Sequence, residues 1–494
     1  MTLILKKEPN LAAKREAFAY QREAVEGIRD REYAAVFHEQ GLGKTKIAID
    51  IILYWLERKA VDTVLLVVKK GLVANWQREL RAHSHLAPRV LTGDRKGNFY
   101  VLNSPTRLIL THYEAVRSER KRLAIFLRTR VVGVILDEST KIKNPESEIT
   151  KVFFEIAPQF KRRIIMTGTP VANRPFDLWA QIRFLDGGKA LDDDFATFQR
   201  KMNLSNALAH DELARSEFEG NLESLHQRIA EFSVRETKDG KVIKLPAKVV
   251  RRIDTDWEPR QLDLYTQIKN ELRAVVVKDG LPTEDDAEEE LKRLLRLVQV
   301  TSNPGLIDES YTIDPGKWEP LEALIDEILA AGEKCIVWTS FTENADWLAT
   351  KLQGAKPAKV HGKLTMEQRN RAVEIFLADP ECRVLVATPG AAKEGLTLTV
   401  ANHVIFFDRG FSLDDYLQAQ DRIHRVSQEK TCYVYNLIMR DSIDEWVDEL
   451  LQAKRLAAQL AQGDISLDYY KSQMSYSYGE IIREILGIEN PERA

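Results

Sequence analysis

Ala34-Ala-Val-Phe-His-Glu-Gln-Gly-Leu-Gly-Lys-Thr45 is the stretch on which the fold turns. Its first four residues read as a short apolar strand. A glycine loop follows, and Lys46-Ile-Ala-Ile-Asp-Ile-Ile-Leu-Tyr-Trp-Leu56 then reads as a helix apolar enough to pack on a sheet. Strand, glycine loop and helix in that order are the context that gives a phosphate-binding loop its meaning. Gly41 and Gly43, on either side of Leu42, let backbone N–H groups turn inward, and the helix adds the positive end of its dipole. Lys44 is suited to reach the β- and γ-phosphates of a nucleotide, and Thr45 to hold Mg²⁺. The full loop pattern has glycine at position 38, where this chain has His38.

Working outward, Val131-Val-Gly-Val-Ile-Leu-Asp-Glu-Ser-Thr140 is a buried-strand pattern ending in two adjacent carboxylates. The carboxyl end of a strand in a parallel sheet opens on the ligand crevice, so Asp137 and Glu138 are expected beside the phosphate loop. Asp137 then suits the Mg²⁺ shell, and Glu138 the orientation and deprotonation of an attacking water. Further strands are expected at 34–37, 64–68, 108–111, 131–136 and 163–167, with helical text between them, as parallel sheets with crossover helices require. From about Gly187 to Leu306 strand signals thin out, and an acidic run begins at Glu284 that reads as a solvated helix start. Alternation resumes at 335–338, 383–387, 404–407 and 432–436, with helical text such as 366–377 between, and a second α/β lobe is the natural reading. After Asp444 the chain is helical again. Its clustered tyrosines near Tyr469 are open to packing of a terminal helix on the second lobe or to base stacking.

At 494 residues, 44% hydrophobic and 30% charged, the chain is long enough for two or three domains and is not a disordered sequence. The formal net charge of −3 gives any phosphate-binding surface a local rather than a global origin. Cys335, Cys382 and Cys432 are too few and too scattered for a disulfide framework or a zinc site and read as reduced core thiols. The N-terminus lacks the pattern of a signal peptide and no apolar run approaches a bilayer span, so a cytoplasmic location is expected. His83 and His85 lack an evident third metal ligand, and Trp76 reads most simply as core.

Gln418-Ala-Gln-Asp-Arg-Ile-His-Arg-Val-Ser-Gln428 sets Arg422 and Arg425 three apart, on one face if helical. An arginine from another element can stabilise phosphoryl transfer by about 10³ or more. These segments, with Asn75-Trp76, Thr111-His-Tyr-Glu114, Lys143-Asn144, Thr167-Gly-Thr-Pro-Val-Ala-Asn173, Leu245-Pro-Ala-Lys248, Leu294-Leu-Arg-Leu-Val-Gln299, Asn303-Pro304, His361-Gly362 and Gly395-Leu-Thr-Leu-Thr399, follow a family order over nearly the entire chain. The sequence resembles the Swi/Snf-type DNA translocases of helicase superfamily two.

The resemblance implies an α/β fold of two tandem RecA-like parallel-sheet lobes, with helical insertions between them and a helical C-terminal tail. The boundaries expected are 1–186 for lobe 1, 187–312 for the insertions and linker, 313–450 for lobe 2 and 451–494 for the tail. Gln21 matches the adenine-recognising segment, Thr167 and Thr169 the segment linking hydrolysis to lobe movement, Gly395 and Thr397 the segment facing nucleotide and DNA backbone, and Arg422 and Arg425 the finger arginines. Thr111, Lys143, Asn173 and Thr388 match the strand-tracking surface. His361 and His424 fall inside these segments, for contact with DNA or nucleotide or for a structural hydrogen bond. Ala392-Lys393, Thr397, Phe411, Ser427 and Arg235-Glu-Thr-Lys238 depart from the common pattern, while the Gly395-Leu-Thr-Leu398 variant and the absence of long insertions look like a compact, more distant branch that includes annealing-type enzymes and small prokaryotic or viral members. The implied function is ATP- and Mg²⁺-dependent translocation on double-stranded DNA, in a monomer aimed by a separate targeting protein. A strand-separating or annealing helicase on single-stranded DNA or RNA and an ATP-gated DNA-binding scaffold are the alternatives.

Overall fold

The computed structural model describes residues 3, 5–171, 173–238, 245–279, 287–391 and 397–486, and the side chains of 272–291 and 486 are outside the description. It divides into two units. The first comprises Met1–Asn203, Glu217–Ile243 and Ala457–Leu467, and the second Leu204–Ser216, Lys244–Leu456 and Asp468–Ala494.

Unit 1 is built on β1 (Tyr33–Val36), β2 (Thr63–Val68), β3 (Arg89–Val90), β4 (Leu108–His112), β5 (Val132–Asp137), β6 (Arg162–Met166) and β7 (Ser233–Val234). They form one parallel sheet in the order β3-β4-β2-β5-β6-β1-β7. Every residue of β2, Thr-Val-Leu-Leu-Val-Val, is buried, because crossover helices cover both faces of such a sheet. The helices α1 (Ala19–Ile28), α2 (Lys44–Glu57) and α3 (Val73–His83) follow one another along the chain. α2 puts Ile47, Ile51, Trp55 and their neighbours into the core, and α3 buries Trp76 and Leu80.

Unit 2 holds β8 (Lys248–Thr255), β9 (Cys335–Trp338), β10 (Ala358–Val360), β11 (Val384–Ala387), β12 (His403–Phe406) and β13 (Cys432–Met439). This second parallel sheet runs β10-β11-β9-β12-β13-β8. Two all-parallel sheets with helical connections are the tandem RecA-like α/β fold that the sequence leads one to expect. Cys335, Cys382 and Cys432 are buried thiols outside any disulfide, and burial pushes Cys335 up to about 12.

The stretch 187–312 is mainly helical, yet it supplies an edge strand to each sheet. β7 pairs with β1 through Ala35–Ser233 and Val36–Val234, and β8 pairs with β13 along all eight of its residues. β7 has two residues, too few for a recognisable period. β8 leaves Val250, Arg251 and Arg252 exposed, so it lacks the unbroken apolar run of a central strand. The acidic run from Glu284 falls outside the described side chains. Tyr470, Tyr476 and Tyr478 are buried, which favours packing over base stacking for these three. Tyr478 donates to the carbonyl of Ser205 (3.2 Å), and Arg215 lies over the Tyr476 ring (4.9 Å). None of the described helices is long and apolar enough to cross a membrane.

Gly133 in β5 is where the crossover helix lies closest on the sheet. A Cβ there would meet Trp55 at 2.9 Å and Val61 at 3.3 Å. Trp55 is fully buried and its indole N–H donates to the carbonyl of Arg29 (2.8 Å), so the ring has little room to retreat. Gly133→Ala is therefore expected to lower stability by about 1–3 kcal/mol through overpacking. Urea denaturation reads this directly, and an unchanged midpoint would mean that α2 yields to the methyl group.

Candidate functional site

The carboxyl ends of β5, β6 and β1 stand side by side. Asp137, Met166 and Val36 share one register level, so the residues after each strand emerge together. After β1 the chain enters the phosphate loop, where Gly41 (φ 87°) and Gly43 (φ 68°) take left-handed conformations and Gly43 caps α2. Lys44 donates from Nζ to the carbonyls of His38 (2.8 Å) and Glu39 (3.3 Å), bridging the loop internally. Thr45 follows in the first turn of α2, partly exposed.

Gln21 comes to this loop from α1. Its Nε2 and the Tyr20 hydroxyl both donate to the carbonyl of Leu42 (3.3 and 3.0 Å), while its Oε1 accepts from the backbone of Phe18 (3.0 Å). A Cβ at position 43 would fall 2.4 Å from Gln21 Nε2 and displace that amide, and the positive φ itself favours glycine. After β6, Thr167 Oγ1 accepts from the backbone N–H of Thr169 (3.2 Å), and both residues are buried. Gly168 between them would place a Cβ 2.5 Å from Gln40 Cγ and 3.1 Å from Lys44 Nζ. The turn after β6 thus touches the phosphate loop through a residue that has no side chain.

Asp137 ends β5. Its Oδ2 accepts from the indole N–H of Trp76 (2.7 Å) and its Oδ1 from the backbone N–H of Glu138 (3.0 Å). The Tyr113 hydroxyl donates to the Asp137 carbonyl (2.8 Å). Asp137 keeps some contact with solvent, yet the protein around it is dense. Desolvation first, then the Glu138 charge, pushes its pKa up to about 6, against the Trp76 hydrogen bond and the Lys44 charge. Glu138 adopts φ 53°. Its Oε2 lies 3.6 Å from Lys69 Nζ. Two carboxylates held together at the mouth of a phosphate loop, with a hydroxyl on the adjoining helix, are an oxygen donor set that fits Mg²⁺. Thr45 and Asp137 are the residues that would hold it.

The strand-tracking candidates fall in different settings. Lys143 forms an ion pair with Asp177 (2.8 Å), and Asn173 lies in the loop after β6. Thr111, expected on that surface, is instead fully buried, because β4 is flanked by β3 and β2 and covered on both faces. In unit 2, Thr388 follows β11 and lines a cavity of about 420 Å³ with Ser340, Gly362, Asp408, Arg409 and Tyr416. Asp408 accepts from Thr339 Oγ1 (2.5 Å), Ser302 Oγ (2.7 Å) and the backbone of Ser340 (2.7 Å). Thr397 accepts from Arg425 Nη1 (2.9 Å). Gly395 and the departures at Ala392 and Lys393 lie outside the described residues.

Arg422 and Arg425 do not share a helical face. The helix Leu413–Gln420 ends before them, and both lie in the turns that follow. These turns are held from within. Gln428 Nε2 donates to the carbonyls of Thr399, Ala401 and Ile423, and Leu398 N–H donates to the carbonyl of Arg422. Arg422 is buried and Arg425 partly exposed. The histidines of these segments make structural contacts, His424 with the carbonyl of Pro246 (2.9 Å) and His361 with Asp346 (3.1 Å). Phe411 packs edge-on against Trp446, and Ser427 hydrogen-bonds Thr399.

A nucleotide loop in one RecA-like unit and an arginine-bearing turn in a second define the class, the tandem-lobed core of a superfamily-two helicase. The chain belongs to the SNF2-related family: the SNF2-related domain matches residues 20–306, and the helicase conserved C-terminal domain matches residues 317–427. It is 28% identical over 458 residues to the uncharacterized ATP-dependent helicase MG018 of Mycoplasma genitalium, covering 88% of this chain and 41% of that protein. It is 27% identical over 444 residues to the putative ATP-dependent helicase/translocase YwqA of Bacillus subtilis, covering 85% and 46%. It is 26% identical over 440 residues to the chromatin structure-remodeling complex subunit snf21 of Schizosaccharomyces pombe, covering 82% and 36%. The chain spans less than half the length of each of these relatives. The SWI2/SNF2 ATPase core of Sulfolobus solfataricus in complex with dsDNA aligns over 95% of this chain and 99% of its own, at 24% identity and a TM-score of 0.42.

Trp76 and Gly168 make site contacts that their sequence segments do not reveal. Trp76 is as buried as a core residue should be, and only the fold brings its N–H to Asp137. Gly168 sat unremarked between two threonines, although a glycine flanked by functional residues is itself a signal of close backbone approach. His38 is a third case. It stacks 6.0 Å from the Tyr20 ring and is 2% exposed, and burial first, then the Lys44 charge, lowers its pKa to about 4. Below pH 6.5 the unfolded chain protonates this imidazole before the folded one does, so stability falls as pH drops from 6.5 towards 4. The full difference is roughly 3 kcal/mol, which His38→Phe removes. Denaturation curves at pH 7, 5.5 and 4 should show wild type losing more stability than the variant, and parallel losses would contradict a neutral buried imidazole.

Proposed function

We propose that this chain hydrolyses ATP and uses the reaction to move along double-stranded DNA, remodelling protein–DNA complexes or DNA structures without extensive unwinding. The observation that carries the reading is the meeting of Lys44, Gly168 and the Asp137-Glu138 pair at three adjacent strand ends. Family membership supports it, as does the likeness to the putative ATP-dependent helicase/translocase YwqA of Bacillus subtilis. In this reading Gln21 takes the adenine, the backbone N–H groups of 41–45 cradle the phosphates, and Lys44 Nζ exchanges its two loop carbonyls for phosphate oxygens. Thr45 and Asp137 hold Mg²⁺, which offsets phosphate charge when bound. Glu138 orients the attacking water and takes its proton.

Arg422 and Arg425 supply positive charge to the γ-phosphate when the lobes close, and Thr167 and Thr169 link that closure to hydrolysis. The segment that contains Thr397 faces nucleotide and DNA backbone. Lys143, Asn173 and Thr388 follow one strand's backbone. Residues 1–186 and 313–450 act as the two lobes, with β7 and β8 counted to the sheets they join, 187–312 otherwise as the linking insertions and 451–494 as the tail. The chain works as a monomer directed by a separate targeting protein.

Hydrolysis should be stimulated by duplex DNA more than by single strands or RNA, and should fall as salt rises because phosphate contacts dominate. Lys44→Ala should lower it by about 10²-fold or more, as loss of a preorganised charge does. The decisive assay is displacement of a triplex-forming third strand. Wild type should release it and Lys44→Ala should not, with duplex binding retained. ATP hydrolysis by wild type without displacement would leave an ATPase but remove the translocase.

A further inference from the structure

Trp76 is 2% exposed, in a helix whose apolar face packs into the core. Packing alone accounts for an aromatic ring there but not for an indole. A buried indole N–H usually finds an acceptor; Trp338 and Trp446 have none for theirs among the described residues, whereas that of Trp76 donates to Oδ2 of Asp137 at 2.7 Å. The other carboxylate oxygen is held at 3.0 Å by the backbone N–H of Glu138, and the Asp137 carbonyl at 2.8 Å by the Tyr113 hydroxyl. Two donors from different elements, one on each oxygen, fix the plane of the carboxylate. Each oxygen retains a lone pair for a further partner.

We infer that Trp76 is a positioning residue whose indole N–H holds the Asp137 carboxylate in the orientation that ligates the Mg²⁺ of bound MgATP, directly or through a water. This rests on the proposed nucleotide site. Groups that orient a metal-binding side chain from outside the coordination shell are typically worth about 10–100-fold in metal affinity. Tyr113 offers an internal contrast, because its hydroxyl holds the backbone of Asp137 and leaves the carboxylate untouched.

The test uses the full chain with ADP and Mn²⁺ in place of Mg²⁺, following free Mn²⁺ by electron paramagnetic resonance. Trp76→Phe should bind Mn²⁺ about 10–100-fold more weakly, with affinity for fluorescent ADP in EDTA unchanged. Half-saturating Mg²⁺ for hydrolysis should rise by a similar factor while kcat at saturating Mg²⁺ recovers. Tyr113→Phe should leave Mn²⁺ affinity near wild type. Should Trp76→Phe not fold, β-(3-benzothienyl)alanine at position 76, which keeps the ring shape and removes the N–H, replaces it. Wild-type Mn²⁺ affinity in the variant, or an equal loss with Tyr113→Phe, overturns the inference and leaves the proposed function standing. Wild type that binds neither Mn²⁺ nor ADP overturns both.

Discussion

A methyl group at position 168 would lie 2.5 Å from the side chain of Gln40 and 3.1 Å from the amine of Lys44. The absence of that methyl lets the turn after β6 rest directly on the phosphate loop after β1. The contact is backbone against loop, so it leaves no slack. The neighbouring threonines are fixed by the same approach, with Thr167 Oγ1 closing back on the N–H of Thr169. A side chain at this point would separate the turn from the loop.

The same crowding sets the electrostatics. Asp137 is placed where burial and the neighbouring Glu138 charge both disfavour ionisation, and it is compensated by the Trp76 hydrogen bond and the Lys44 and Lys69 charges. This arrangement costs folding free energy in exchange for a preorganised negative pair that a cation would relieve. Lys44 is likewise parked on two loop carbonyls, the nearest substitutes for phosphate oxygens. His38 adds a neutral imidazole where the usual loop has glycine. It fills the space under Tyr20 without adding charge.

The second unit solves a different problem, that of presenting arginines from irregular backbone. Turns have no ladder of hydrogen bonds, and their polar groups must be satisfied individually. Gln428 does this with a single amide that reaches three carbonyls, and Arg425 is steadied by Thr397. Asp408 performs the same service beside the cavity lined by Thr388, accepting from Ser302, Thr339 and Ser340. Both are local networks built from polar residues that no periodicity reveals.

Strand and helix periodicity, the glycine loop and the acidic strand end were legible in the chain because each is a local pattern whose physics is complete within some ten residues. The central strands fall within a residue or two of where the apolar runs place them, although β13 continues to Met439, beyond the expected end at 436. The edge strands β3, β7, β8 and β10 were not legible, since an edge strand is defined by its neighbour rather than by its own burial. The helical spacing of Arg422 and Arg425 misled for a related reason: the helix stops at Gln420, and nothing local to the arginines says so. Tertiary structure alone decided that Thr111 is interior, that Gly168 is a contact and that Trp76 donates to Asp137. Trp76 and Asp137 are 61 residues apart in sequence. A hydrogen bond across that distance exists only after α3 and β5 have been brought together by a core that neither residue specifies alone.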